Sequence, residues 1–462
     1  MKKNRLINLA ILIAITALTS CSTLSSSRNT EARENQQQKI TSAYDSAIWD
    51  SNTAKTWENL QRIPSSQLTE MKKARLGETE QTWVELALIS KDENRNTRDL
   101  ARALLAWHEQ NTTHPANQLL PDTNTLRRLA NANPPRQIAV LLPQNGSYAS
   151  SSQRIREGFL NAYYTNQLKA GKQNVKFYDT SQTQDLASLY EQAVAEGADF
   201  VVGPLVKEDV EQMSKKGPFR TPLLALNYTE PHLFNALPGN FYEFGLLPED
   251  EAAQLAASAR RSGLSDAIII APQNAWGRRL TSAFSSEWQT AGGNIRETWY
   301  FSPKTNFSQE IAKLLHVDLA KDKELMEAHS NRAALSQQRR QDFNVIFLFA
   351  SAKDAEVIVP TLKFYYVNNV PIYATSTVNA NNTNVSENDL KDVVVCDTPS
   401  NRATDRLYSV GQDAYLLSQT LNQLETLQNF PIQGATGALV LSMKQQVHRR
   451  LPCRTVRHAA NG

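Results

Sequence analysis

Residues 137–164 read QIAVLLPQNGSYASSSQRIREGFLNAYY. Ile138 to Leu142 is an unbroken apolar run, the length and composition of a strand covered on both faces. Pro143, Asn145 and Gly146 mark a turn. Ile155, Phe159 and Ala162 then recur at helical spacing, so an amphipathic helix follows. A buried strand feeding such a helix is the first half of a parallel crossover unit.

The same alternation continues downstream. "VKFYDT", "DFVVGPL" and "TPLLALNY" read as strands, with "DLASLYEQAVAEGA" and "KEDVEQMSKK" as helices between them. Then come "PEDEAAQLAASARRSG" before "DAIIIAP", and "WGRRLTSAFSSEWQTAGG" before "IRETWYF". "FNVIFLFA", "KDAEVIVPTLKFYYVN" and "PIYATS" extend the series. These are too many units for one compact sheet, so the expected class is α/β with two doubly wound lobes across 136–462. Residues 321–342, KDKELMEAHSNRAALSQQRRQD, break the rhythm. Their charge and narrow apolar face predict a solvated excursion or a partner surface, with Arg339 and Arg340 as candidate contact charges.

Upstream, between Thr41 and Thr113, "TWENLQRI", "TEQTWVELALISK" and "TRDLARALLAWHEQ" carry apolar residues at helical spacing. Trp83, Leu86, Ala87 and Ser90 share one face, as do Leu100, Ala103, Leu104 and Trp107. Residues 41–135 are therefore read as a short all-α region of helical-repeat type. Residues 21–40 are polar, rich in Ser and Gln, and read as a flexible tether. Lys2, Lys3 and Arg5 precede an apolar run from Leu6 to Leu18, far short of a ~20-residue span. Leu18-Thr19-Ser20-Cys21 resembles a bacterial lipobox, which makes 1–20 a cleaved signal and Cys21 the site of lipidation. Several acyl chains on one cysteine anchor stably, at about 0.8 kcal/mol per buried CH₂. Ser22 stands where Asp would resemble an inner-membrane retention signal, so the expected location is the periplasmic face of the outer membrane. Loss of Lys2, Lys3 and Arg5 lowers the formal charge from +3 to 0. A neutral chain gives no case for a nucleic-acid partner. Only Cys396 and Cys453 remain besides Cys21, and in an oxidising compartment they could pair.

No catalytic residue is nominated. The seven histidines lack helical zinc spacing, and no nucleophile elbow, phosphate loop or dinucleotide fingerprint occurs. Neither a metal nor another cofactor is expected. "GPLVKED" places a Gly-Pro turn at a strand C-terminus, the edge where α/β sheets bind ligands. Read structurally, it is a tight strand-to-helix turn. Asp397 sits at a similar edge and reads as a cap or hydrogen-bonding residue.

"GADFVVGPLVKEDV", "TPLLALN", "FYEFGLLPEDEA", "RRQDFNVIFLFASAKDAEVIVPTLKFYYVNNVPIYATS" and "RLYSVGQDAYLL", with the 137–164 segment, resemble the penicillin-binding protein activator lipoproteins of LpoA type. The resemblance runs from about Trp83 to Pro452, in the family's order, behind a lipobox. It implies a two-lobed type I periplasmic-binding-protein-like domain after helical repeats. It also implies a non-enzymatic role, stimulation of a bifunctional peptidoglycan synthase from the outer membrane. Two departures stand out: the helical part is short, and "CDTPSNRATDRLY" is compact where the family carries a longer insertion. By analogy with that fold, lobe one is expected at 136–247 and 372–428, and lobe two at 248–371 and 429–462. Three crossovers would join them.

The alternative is a solute-binding lipoprotein that delivers an amino acid or similar ligand to an ABC transporter. A hydrolase on the same fold is a third reading, but no nucleophile–base pair can be named for it. The cleft discriminates between the first two. Its candidate groups are Ser147, Tyr148 and Ser150 after the first strand, and Tyr228 and Thr229 after the fourth. The third-strand loop, with Val206 and Lys207, offers no hydroxyl. Each buried ligand group left unpaired costs ~1–3 kcal/mol, so this set argues against tight binding of a small molecule.

Overall fold

In the computed structural model the described residues are 48–456, except 75, 93–94, 171–172, 230–236, 319, 321–338, 366, 368, 380–389 and 400–405. They form two compact units that divide between Ala132 and Asn133. Among the described residues no helix is long and apolar enough to cross a membrane.

The first unit is helical: α1 (Thr53–Arg62), α2 (Ser65–Lys73), α3 (Glu78–Ser90), α4 (Thr97–Gln110) and α5 (Thr123–Ala130). Asn52, Asn96 and Asp122 cap α1, α4 and α5 by accepting hydrogen bonds from backbone N–H groups of the first turn. Trp57, Trp83, Leu86, Ala87, Leu100, Leu104 and Trp107 are buried. The imidazole of His114 meets Trp83 and Trp107 edge-on at 5.1 and 5.3 Å. On α4, Leu100, Leu104 and Trp107 are buried as expected, but Ala103 is only half-buried and Ala101 is buried in its stead.

The second unit holds two sheets. The first has the order β11-β12-β13-β5-β4-β3-β1-β2 and the second β14-β10-β9-β8-β6-β7. Their strands, in chain order, are β1 (Gln137–Leu142), β2 (Asn174–Asp179), β3 (Phe200–Val202), β4 (Leu223–Ala225), β5 (Phe241–Phe244), β6 (Asp266–Pro272) and β7 (Asn294–Phe301), then β8 (Val345–Leu348), β9 (Ile372–Thr375), β10 (Val394–Cys396), β11 (Ile432–Gly434), β12 (Gly437–Leu441), β13 (Gln446–Arg450) and β14 (Cys453–Thr455). The helices that cover the sheets are α6 (Ala149–Ala170), α7 (Leu186–Ala195), α8 (Lys207–Ser214), α9 (Pro248–Arg261), α10 (Ala275–Thr290), α11 (Phe307–Leu314), α12 (Ala352–Phe364) and α13 (Arg406–Thr426).

The unbroken apolar run of β1 is explained by helices on both faces. Ile138, Val140 and Leu142 join Ile155 and Phe159 of α6 and Tyr415 of α13. Ala139 and Leu141 join Tyr190 of α7 and Met213 of α8. β6 repeats the arrangement in lobe two, with Ile268 and Ile270 on one side and Ile269 and Ala271 on the other. In lobe one, α6 and α13 cross where each contributes a glycine. A Cβ on Gly158 would lie 1.8 Å from the Tyr408 carbonyl oxygen, and one on Gly411 1.9 Å from that of Ile155.

Three crossovers do join the lobes, but two lie elsewhere than expected. The first falls at Leu247–Pro248, between β5 and α9. Residues 372–396 stay in lobe two, because Ile372, Tyr373 and Ala374 pair in parallel with Ile346, Phe347 and Leu348, and β10 then pairs with β9. The chain re-enters lobe one only at α13. Residues 432–450 also belong to lobe one: β11, β12 and β13 form an antiparallel meander whose last strand pairs with β5. The third crossover is at 451–452, after which β14 pairs antiparallel with β10.

Arg339 and Arg340 do not project. Arg339 is buried and stacks over Phe343 at 5.3 Å. Arg340 binds Asp342 at 2.7 and 2.8 Å and also pairs with Glu297. These carboxylates raise its already high pKa against the opposing effect of burial. Both arginines are engaged within the fold instead of presenting charge to a partner. Residues 321–338 lie outside the described residues.

Candidate functional site

A cluster of buried polar residues gathers where the three crossovers meet. Glu243 of β5, Asp250 and Glu251 of α9, Ser376 after β9, Asp413 of α13 and Arg449 of β13 are all buried. Charges are rarely buried without partners, and here the partners come from both lobes. One Asp250 oxygen lies 2.8 Å from Nδ1 of His448, and the other accepts the Arg449 backbone N–H at 3.1 Å. The Arg449 guanidinium reaches the Leu247 carbonyl at 3.4 Å and a Glu251 oxygen at 4.0 Å. Glu251 in turn accepts the Ser376 N–H and hydroxyl, each at 2.9 Å. Burial raises the Glu251 carboxyl above its ordinary value against the pull of Arg449 and Ser376.

A second branch runs through Arg406, the first residue of α13. It binds both Asp397 oxygens, at 3.1 and 2.8 Å, and the Ser376 carbonyl at 3.1 Å. Asp397 is thus a hydrogen-bonding residue at the second crossover. Asp413 accepts hydrogen bonds from Ala435 N–H, Thr436 N–H and the Thr436 hydroxyl at 2.6–2.8 Å, which holds the β11–β12 turn. Cys396 and Cys453 form a disulfide between β10 and β14.

The cleft candidates divide between two places. Ser147 and Tyr148 lie exposed in the β1–α6 loop, and Ser150 lies exposed in the first turn of α6. Tyr228 and Thr229 are buried in the hinge cluster. The Tyr228 hydroxyl donates to the Val447 carbonyl at 2.6 Å, its ring stacks on His448, and the Thr229 N–H donates to Glu243 at 2.8 Å. These two residues tie β4 and β5 to β13 and do not stand ready for a ligand. At Gly203 the tight-turn reading fits: φ is +97° and a Cβ would lie 2.1 Å from the Leu141 carbonyl oxygen. Cys21 lies outside the described residues.

The hinge residues Glu243, Asp250, Glu251, Arg406, Asp413, His448 and Arg449 were not singled out from sequence. A signal existed for two of them: Glu243 interrupts the apolar strand "FYEF", and Arg449 alternates inward in "QVHRR". Both are charges at core-facing positions of a strand.

Compared with known protein families, residues 32–455 match the one described as "LppC putative lipoprotein". The chain belongs to the LppC family. A Vibrio cholerae relative named penicillin-binding protein activator LpoA is 28% identical over 424 residues, which is 86% of this chain and 69% of that protein. Among solved structures, the C-domain of Haemophilus influenzae LpoA, described as a regulator of PBP1A, aligns with a TM-score of 0.57 and 25% identity. It covers 70% of this chain and 98% of that domain. A "putative branched-chain amino acid ABC transporter" protein from Chromobacterium violaceum aligns with a TM-score of 0.53 at 24% identity, covering 69% of this chain and 99% of that one. This last likeness shows the fold alone: the LppC chain carries a two-lobed periplasmic-binding-protein-like domain after a helical region.

Proposed function

We propose that this chain is a lipid-anchored regulator that binds a bifunctional class A penicillin-binding protein and activates peptidoglycan synthesis from the periplasmic face of the outer membrane. The observation that carries the reading is the match along residues 32–455 to a lipoprotein family whose curated relatives are named activators. The geometry supports it, because the hydroxyls that a solute binder would aim at a ligand are divided between an exposed loop and a closed hinge.

In this reading Cys21 carries the lipid and residues 22–40 tether the folded units to the membrane. The activator raises synthase activity by binding the active conformation more tightly than the inactive one; equal affinity for both would shift nothing. The protein is a binding partner and not a catalyst. The test is capture of class A synthases by the soluble chain from Ser22 onward, with a transpeptidation assay beside it. Capture with increased cross-linking is the expected result. Absence of both, together with calorimetric binding of an amino acid, would favour the transporter reading.

A further inference from the structure

The hinge combines two kinds of fastening, and each crossover is held by at least one. The first crossover enters α9, whose first turn carries Asp250. That carboxylate grips two consecutive residues of β13, His448 and Arg449, the strand that leads into the third crossover. The second crossover leaves β10 at Cys396 and returns at Arg406, which reaches back to Asp397 and to the Ser376 carbonyl of lobe two. Cys396, the last residue before the second crossover, is bonded to Cys453, the first strand residue after the third. Arg454, next to Cys453, donates to the Pro399 carbonyl at 2.8 Å.

Two lobes close on a ligand when the connecting segments change φ and ψ independently and absorb the rotation. Here the second and third segments are covalently joined at their lobe-two ends, and the first is clamped to the third by one carboxylate. We propose that this latch pins the two lobes at one angle, so that the domain is a fixed two-lobed scaffold and not a clamshell that closes on a small molecule. The crossovers are tied to one another by the Asp250 contacts and the disulfide, so loss of both loosens the latch. Cys396 is fully buried, and a buried thiol ionises poorly. Thiolate attack at Cys453 would expel sulfur from Cys396 as a poor leaving group, so the disulfide acts as a standing fastener.

The inference rests on hinge geometry and not on the identity of the partner: a failed synthase capture leaves it standing, and a mobile hinge leaves the capture result standing. The experiment measures the interlobe distance by pulsed electron resonance in the soluble chain from Ser22 onward. Spin labels go on ketone side chains placed at Glu191 in α7 and Ser286 in α10, both exposed, so that the native disulfide stays intact. The expected result is one narrow distribution that a mixture of amino acids leaves unchanged, and a distribution at least twice as wide in Asp250→Asn combined with Cys453→Ser. If the double variant does not melt cooperatively, Asp250→Asn alone, measured before and after phosphine reduction, supplies the comparison and should widen on reduction. Two populations in the unmodified protein, a shift on adding amino acids, or an unaltered narrow distribution in a folded latch variant would each overturn the proposal.

Discussion

Asp413 is buried, and burial pushes its carboxyl up to about 6 despite three hydrogen bonds from Thr436 and Ala435 that oppose the shift. The folded protein therefore holds a proton that the unfolded chain, with an ordinary value of 3.8, has released. For such a group stability is greatest at low pH and declines as pH rises from about 4 to about 6, by about 3 kcal/mol. Glu251 has the same sign. For His448, burial acts downward, but Asp250 and Glu243 outweigh it and leave the imidazole above 6.5. Its contribution is complete below 6.5 and fades as pH climbs through the folded value. The two-lobed unit is thus expected to melt at a higher temperature at pH 5 than at pH 7.5, and Asp413→Asn should shrink that difference. Calorimetric melting at the two pH values reads both. Also at this scale, Cys21→Ser should leave unprocessed precursor at the inner membrane, whereas normal processing on a membrane-fractionation blot would dismiss the lipobox.

At the scale of elements, the α6–α13 crossing depends on two absent side chains. Gly158→Leu would drive a side chain into the backbone at Tyr408, which must shift because the obstacle is a carbonyl. Overpacking of this kind costs about 1–3 kcal/mol or more, and urea unfolding of the 133–462 fragment should show a lower midpoint with an unchanged slope. The helices and parallel strands of both lobes were legible in the chain because strand runs such as "QIAVLL" and stripes such as Ile155, Phe159 and Ala162 carry distinct periods. The β11–β13 meander was not: Ile432–Gly434 is three residues long, and the strands are joined by only Ala435-Thr436 and residues 442–445, with no helix to set a rhythm. The crossover positions failed for the related reason that strand partnership, which keeps β9 and β10 in lobe two, leaves no mark on a single strand's pattern. The hinge cluster was equally hidden, since Asp250 and His448 lie 198 residues apart.

At the scale of the molecule, the helical unit and the two-lobed unit each bury an apolar core of their own. A fragment from Asn133 to Gly462 is expected to fold alone and to melt in a single transition; insoluble or non-cooperative material would count against the division. Removal of the disulfide by Cys453→Ser should lower the stability of that fragment by about 4 kcal/mol, the chain-entropy value for a loop closed across so wide a separation, as read by denaturant titration under matched conditions.

The interleaving of the lobes also dictates an order of events during synthesis. Lobe one begins at residue 137, yet α13 and the meander that complete it come from 406–450, after nearly all of lobe two has passed. While the chain emerges N-terminus first, Ile155, Phe159 and Tyr163 on α6 can pack on β1 but lack Val410, Ala414 and Tyr415 of α13, which are still to come. The nascent protein therefore carries a half-covered apolar helix face until its last eighth arrives. A chain cut short before α13 would leave that face open for good, a ready target for chaperones and proteases.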